Sequence, residues 1–145
     1  MDVLIVEDEA AQCRTRAEYV QSLGFSSTCR PNAITALEAC TQTFYPIIIT
    51  ELGLSDMDGL EFCRRIRALS DDKGEDSMIL VVSERSAPED MLMAFQAGAD
   101  DYLVKPTASE LLGKHVMKLK YRFERWSCHP PIATMTRTTI TRTNS

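Results

Sequence analysis

The chain has 145 residues, 44% hydrophobic, 26% charged and 7% aromatic, the balance of one globular domain that buries its core without disulfide or metal staples. No apolar run approaches the ~18 residues of a membrane span, and the start, Met1-Asp2-Val3-Leu4-Ile5-Val6-Glu7-Asp8-Glu9, turns acidic where a signal peptide is basic and then apolar, so a cytoplasmic protein is expected. The net charge of −5 hides an asymmetry, 8 Lys/Arg against 19 Asp/Glu in residues 1–104 and 8 against 2 in residues 105–145; the acidic body argues against nucleic-acid binding, for which only the basic end leaves an opening.

In chain order, a short apolar run at 2–6 predicts a strand, and the helical period over 10–23 ends at Gly24, a natural helix stop. A second strand is expected at 26–30, then a helix over 32–44 with Asn32 as its N-cap. Residues 46–51 and 78–83, dense in Ile, Leu and Val, read as central buried strands. Between them lie a helix over 58–69, capped by Asp58, and a solvated loop at 70–77 that contains no apolar residue. A helix over 87–97 stops at Gly98, a fifth strand follows at 101–104, and a last helix is expected over about 108–125. Five strands alternating with helices imply a parallel sheet covered on both faces, because parallel neighbours need right-handed crossovers. The five cysteines (Cys13, Cys29, Cys40, Cys63, Cys128) form no close pair in sequence and read as reduced, mostly buried small residues.

The last helix is longer than a sheet-covering helix requires. Leu112, Val116, Leu119, Phe123 and Trp126, spaced 4, 3, 4 and 3, make an apolar seam. Either its first half packs on the sheet and the rest is an amphipathic end, or the seam is a homodimer contact or a signalling helix leading into another module. Beyond Trp126 the pattern stops: Pro130-Pro131 breaks any helix, and residues 132–145 hold six threonines, two arginines and no acid. One domain over 1–126 and a disordered tail or linker stub over 127–145 are expected.

In such sheets function collects at the carboxyl ends of the strands, near the switch point in strand order. That rule selects Glu7, Asp8, Glu51, Ser83 and Lys105. Three carboxylates meeting there repel one another and need a compensating cation, and a partly open set of oxygen ligands suits Mg²⁺. Lys105 adds a positive charge and Ser83 a hydroxyl able to donate to a phosphoryl oxygen.

Three runs then carry a resemblance: Val3-Leu4-Ile5-Val6-Glu7-Asp8-Glu9; Ile47-Ile48-Ile49-Thr50-Glu51-Leu52-Gly53-Leu54-Ser55-Asp56-Met57-Asp58-Gly59-Leu60-Glu61; and Ala97-Gly98-Ala99-Asp100-Asp101-Tyr102-Leu103-Val104-Lys105-Pro106. In this order and spacing, over about residues 1–120, the chain resembles the receiver domains of two-component response regulators. The resemblance implies a flavodoxin-like, doubly wound five-stranded parallel sheet of order 2-1-3-4-5 with five helices. It implies phosphoryl transfer from a histidine kinase to an aspartate with Mg²⁺, relayed through helix 4, strand 5 and helix 5. By position, Glu7 and Asp8 match the metal-binding acidic pair, and the Gly53 backbone carbonyl the third protein ligand. Ser83 matches the switch hydroxyl, Tyr102 an aromatic that rotates inward on activation, Lys105 the family's lysine, and Lys105-Pro106 its cis peptide bond.

Three positions depart from the family pattern. Glu51 stands where the phosphoacceptor and metal-binding aspartate is expected; its extra methylene carries the carboxylate roughly an ångström further, misaligning in-line attack while placing a negative charge nearer the phosphoryl site. Ser55 replaces a usual proline, and Glu84 replaces a small residue, narrowing the pocket entrance with a charge that repels phosphate or pairs with Lys105. Together they point to natural drift from phosphotransfer, with an engineered aspartate-to-glutamate change as the alternative: a pseudo-receiver that is not an enzyme and acts through partners, a histidine kinase or phosphotransfer protein, or a downstream effector domain. The alternatives are a receiver still phosphorylated, weakly and through Asp56 or Asp58 if not Glu51; a Mg²⁺-dependent phosphohydrolase or flavin protein on the same fold; and a nucleic-acid-binding module. Asp56 and Asp58 are expected to serve the turn and the helix cap instead.

Overall fold

The computed structural model describes residues 1–74 and 76–128, with side chains as far as Arg125. Five strands and five helices alternate: β1 (Asp2–Val6), α1 (Ala10–Ser22), β2 (Ser26–Arg30), α2 (Ala33–Gln42), β3 (Ile47–Thr50), α3 (Gly59–Lys73), β4 (Met78–Ser83), α4 (Pro88–Ala97), β5 (Asp101–Val104) and α5 (Ser109–Cys128). All four strand pairings are parallel, in the order β2-β1-β3-β4-β5. This is the flavodoxin-like arrangement expected from the sequence, with its order reversing between β1 and β3 and so opening a crevice at their carboxyl ends.

Alternation along the strands divides the core in two. Leu4, Val6, Ile48, Ile79 and Val81 face α2, α3 and α4, whereas Val3, Ile5, Ile47, Ile49, Leu80 and Val82 face α1 and α5. Each large aliphatic side chain buried this way contributes roughly 1.5–3 kcal/mol, so the two rows hold the strand ends in fixed register around the crevice.

Local signals set the helix ends. The Asn32 side chain accepts the Thr35 N–H at 2.9 Å at the start of α2, and Asp58 accepts the Leu60 N–H at 2.8 Å at the start of α3. Gly98 closes α4 in the left-handed region at φ 118°. The loop expected at 70–77 is shorter than it reads, because α3 continues through Lys73 and stops at Gly74, φ 72°. The polar last turn is held from outside its own sequence: the Lys73 ammonium donates to the carbonyls of Cys40 and Thr41, at 3.1 and 2.9 Å, at the open end of α2.

The α5 seam packs inward. Leu112, Val116 and Leu119 are buried in the core beside α1, and the Phe123 ring lies 6.0 Å from that of Phe44. Among the described residues, the large apolar side chains that α5 leaves exposed are Leu111, Met117 and Tyr121, which are not the seam. The helix runs three residues past the expected end at 125, into the segment expected as a tail; residues 129–145 and the Trp126 side chain lie outside the described residues. Among the described residues no helix is long and apolar enough to cross a membrane.

Candidate functional site

Glu7, Glu51, Ser83 and Lys105 meet at the carboxyl edge of the sheet. Glu7 is one residue past the end of β1 and 3% exposed; Glu51 is one residue past β3 and 8% exposed. Lys105 extends β5, its N–H donating to the Ser83 carbonyl at 2.8 Å. Its ammonium lies 2.5 Å from Glu51 Oε2, 3.4 Å from Glu7 Oε1 and 3.3 Å from Gln12 Oε1. The Lys105–Pro106 peptide bond is cis, as the resemblance implied.

The other oxygen of Glu51 is also engaged: Oε1 accepts the Leu52 N–H at 2.8 Å and lies 3.5 Å from the Gly53 nitrogen. The loop behind it is folded tightly, with the Gly59 N–H donating to the Leu52 carbonyl at 2.9 Å. A Cβ at position 59 would lie 2.5 Å from Leu52 Cα and 2.6 Å from the Glu51 carbonyl oxygen, so only glycine fits. The same loop sends Asp56 to the N-terminus of α2, where its carboxylate accepts the N–H groups of Ala33 at 3.0 Å and Ile34 at 2.9 Å. Asp58 caps α3 as expected, whereas Asp56, expected to serve the turn, holds the N-terminus of α2 instead.

One participant went unforeseen. Arg16, on α1, brings its guanidinium to 3.4 Å from Glu7 Oε1 and also reaches Gln12 on its own helix. A signal existed in the sequence, because the buried residues of α1, Cys13, Ala17 and Val20, form a stripe, and Arg16 interrupts it at helical spacing from Cys13 and Val20. A charge on an apolar stripe pairs with something buried. With Arg16 counted, Glu7 and Glu51 face Arg16 and Lys105, and the interior of the site is neutral. The compensating cation that the three acids seemed to require is supplied by the protein's own side chains.

The two acids respond differently. Burial pushes the Glu7 carboxyl above the usual range, and Lys105 and Arg16, both at the long distance of 3.4 Å, do not fully reverse it. Burial acts on Glu51 too, but the close Lys105 ammonium and the N–H groups of Leu52 and Gly53 outweigh it and hold Glu51 below the usual range. Burial alone would lower Lys105; the hydrogen bond and charge of Glu51, then Glu7, raise it instead.

The remaining expected residues divide. Asp8 is exposed, unlike its neighbour, and among the described residues no group of three His, Cys, Asp or Glu side chains is arranged to hold a metal ion. As they stand, Glu7, Asp8, Glu51 and the Gly53 carbonyl do not fit as one Mg²⁺ shell, because both oxygens of Glu51 and Oε1 of Glu7 are engaged by ammonium, guanidinium and backbone N–H groups, and Asp8 is exposed. Ser83 is buried, and its hydroxyl oxygen accepts the Arg85 N–H at 3.2 Å. Tyr102 lies inward, 9% exposed, and donates its hydroxyl to the Arg85 carbonyl at 2.7 Å. Glu84 is exposed and helps line a groove of about 680 Å³ with Gln12, Arg16, Lys105, Thr107 and Ser109. Lys105 pairs with Glu51 and Glu7 rather than with Glu84.

Residues 3–117 match the sequence pattern of the response regulator receiver domain. The chain belongs to that family. The receiver is 33% identical over 122 residues to the transcriptional regulatory protein BasR of Escherichia coli (strain K12), in an alignment taking in 84% of this chain and 53% of that protein. It is 30% identical over 122 residues to the response regulator MprA of Mycobacterium leprae (strain TN), covering 84% and 52%. The chain thus spans about half the length of the curated relatives it matches. Among solved structures it resembles a two-component response regulator from Clostridium difficile, with a TM-score of 0.78, 26% identity, and coverage of 84% of this chain and 97% of that one.

Proposed function

We propose that this receiver is a degenerate signalling module: a cytoplasmic protein, not itself an enzyme, that acts by contact with partners and whose switch is set without aspartyl phosphorylation. The observation that carries the reading is the state of Glu51. Its carboxylate is clamped between Lys105 at 2.5 Å and the Leu52 N–H at 2.8 Å, in a pocket whose buried charges already cancel. A phosphoryl group arriving there would have to displace the ammonium that in this arrangement neutralises the acid, and Glu84, in the groove that Lys105 also lines, adds repulsion. Glu51 supplies a permanent single negative charge at the phosphoacceptor position, against about two for an acyl phosphate.

The inward Tyr102, tied to the loop after β4 through Arg85, supports a switch held in one arrangement. The partners proposed are a histidine kinase, a phosphotransfer protein or a downstream effector domain reading helix 4, strand 5 and helix 5. Self-association through α5 would use Leu111, Met117 and Tyr121, because the seam is spent on the receiver's own core.

The test is incubation with acetyl phosphate and Mg²⁺, followed by intact-mass analysis and peptide mapping. No phosphoryl gain at residue 51 is expected. Phosphate on Glu51, or saturable Mg²⁺-dependent binding of beryllofluoride, would return the chain to the ordinary phosphorylated receivers. In Glu51→Asp, recovered labelling confines the lesion to one residue, and continued failure extends it to Glu84 and Arg16.

A further inference from the structure

Two of the chain's thiols are neighbours although they stand sixteen positions apart in sequence. Cys13 lies on α1, buried against the β1–β2 pair, with its sulfur 3.7 Å from the Ile5 carbonyl oxygen. Ile5 is the register partner of Cys29 across that pair. Cys29 is exposed on the edge strand β2, and its sulfur approaches the Cys13 carbonyl oxygen at 3.5 Å. Each sulfur thus lies within 4 Å of a backbone carbonyl in the strip of structure that the two cysteines share, one of them the carbonyl of Cys13 itself. Cys40 and Cys63 are buried in the core on the opposite face of the sheet.

We propose that Cys13 and Cys29 form a peroxide-responsive thiol pair that closes to an intramolecular disulfide between α1 and β2. The roles follow from exposure. Cys29 meets solvent, so a hydroperoxide reaches it first: its sulfur attacks the peroxide oxygen, the O–O bond breaks, and Cys29 becomes a sulfenic acid with release of one water from hydrogen peroxide. Cys13 is the resolving thiol. Burial, reinforced by the Cys29 thiol and the Glu7 charge, pushes it up to about 12, so it stays protonated and is a poor peroxide target. Once the sulfenic acid forms beside it, the Cys13 sulfur displaces hydroxide from Cys29, the thiol proton leaves with that hydroxide as a second water, and the S–S bond closes. The peroxide is reduced by two electrons, the two thiols are oxidised by two, and a dithiol reverses the step.

The consequence reaches the acid pocket through one helix. Cys13 lies between Gln12, which accepts from Lys105, and Arg16, which pairs with Glu7. A covalent tie from Cys13 to the sheet edge restrains the turn that carries both. This does not depend on how Glu51 is read, since the thiols respond to peroxide in either case.

The experiment treats the reduced full chain with equimolar hydrogen peroxide, follows intact mass, and maps peptides without reduction. The expected result is loss of two hydrogens, restored by dithiothreitol, with the Cys13 and Cys29 peptides linked. Cys29→Ser should abolish the loss. Cys13→Ala should leave Cys29 as a sulfenic acid that dimedone traps, at yields insensitive to protein concentration. A wild-type Cys29 trapped by dimedone with no link to Cys13, or linked instead to Cys128 or to a second copy, overturns the proposal. The wild-type map decides the matter by itself should either variant fold poorly.

Discussion

Replacing Arg16 with glutamine tests the electrostatics of the pocket directly. In the native chain Glu7, with a side chain 2% exposed, faces the Arg16 guanidinium and the Lys105 ammonium, each at 3.4 Å. Removing one partner of a buried pair typically costs about 3–5 kcal/mol, and leaving a buried polar group short of a partner about 1–3 kcal/mol. Lys105 remains beside Glu7 in the variant, so about 2 kcal/mol at neutral pH is expected. With a urea slope of about 2 kcal/mol/M, that is a midpoint lowered by about 1 M at an unchanged slope. Burial already raises Glu7, and loss of a cation raises it further; a carboxyl whose folded value is raised stops costing stability once it is protonated. The deficit should therefore shrink as pH falls from 7 towards and below the ordinary glutamate value of 4.5. The vacated charge should also let a divalent ion help: at 10 mM Mg²⁺ and a Kd of about 1 mM the variant regains about 1.4 kcal/mol, while the native chain gains little. A deficit unchanged at low pH, or a native chain that gains as much from Mg²⁺ as the variant, would refute the reasoning.

Three further outcomes are expected. Arg67 donates to Asp76 and Asp100, both at 2.6 Å, and to the carbonyls of Ser77 and Gly98, so Arg67→Ala should cost about 2–4 kcal/mol in urea melts and loosen the start of β4, read as faster amide exchange at Ile79. Gly59→Ala should cost about 1–3 kcal/mol or more, because the added methyl meets backbone that cannot swing aside, and should shift the Glu51 amide resonance. The Glu51–Lys105 pair sets a pH window. The lowered Glu51 contributes stability above 4.5 that is lost as pH falls through its folded value; the raised Lys105 contributes below 10.5 and loses it as pH rises through its own. Paired melts of the native chain and Lys105→Met should differ most between those limits and converge outside them.

The sheet was legible because each strand is short, apolar and bounded by turn residues; β1, β2, β4 and β5 fall where the runs at 2–6, 26–30, 78–83 and 101–104 place them. Asn32 and Asp58 were legible as caps because a short polar side chain before an apolar helical pattern has one common use. The end of α3 was not, since Ser70-Asp71-Asp72-Lys73 carries no apolar signal and is fixed by Lys73 reaching α2, thirty-two residues away in sequence at Thr41. The site divides along the same line. Residues at strand ends follow from topology, so Glu7, Glu51, Ser83 and Lys105 could be placed together. Arg16 comes from a helix face, and its rotation toward Glu7 depends on how α1 sits on the sheet. Asp8 adjoins Glu7 in sequence but is exposed, a difference that local pattern does not encode.

The tether from Asp56 to the amide groups that begin α2 ties two separate parts of the molecule to one short loop. Five residues before it stands the acid that Lys105 grips, so one short loop carries both that acid and the anchor of the helix beside the sheet's outer strand. Transplanting residues 51–58 from a relative therefore exchanges two things at once: the carboxyl that Lys105 grips and the anchor of a neighbouring helix. A donor loop without an acid at position 56 would leave α2 frayed at its first turn, and the resulting loss of stability could be mistaken for a failure of chemistry.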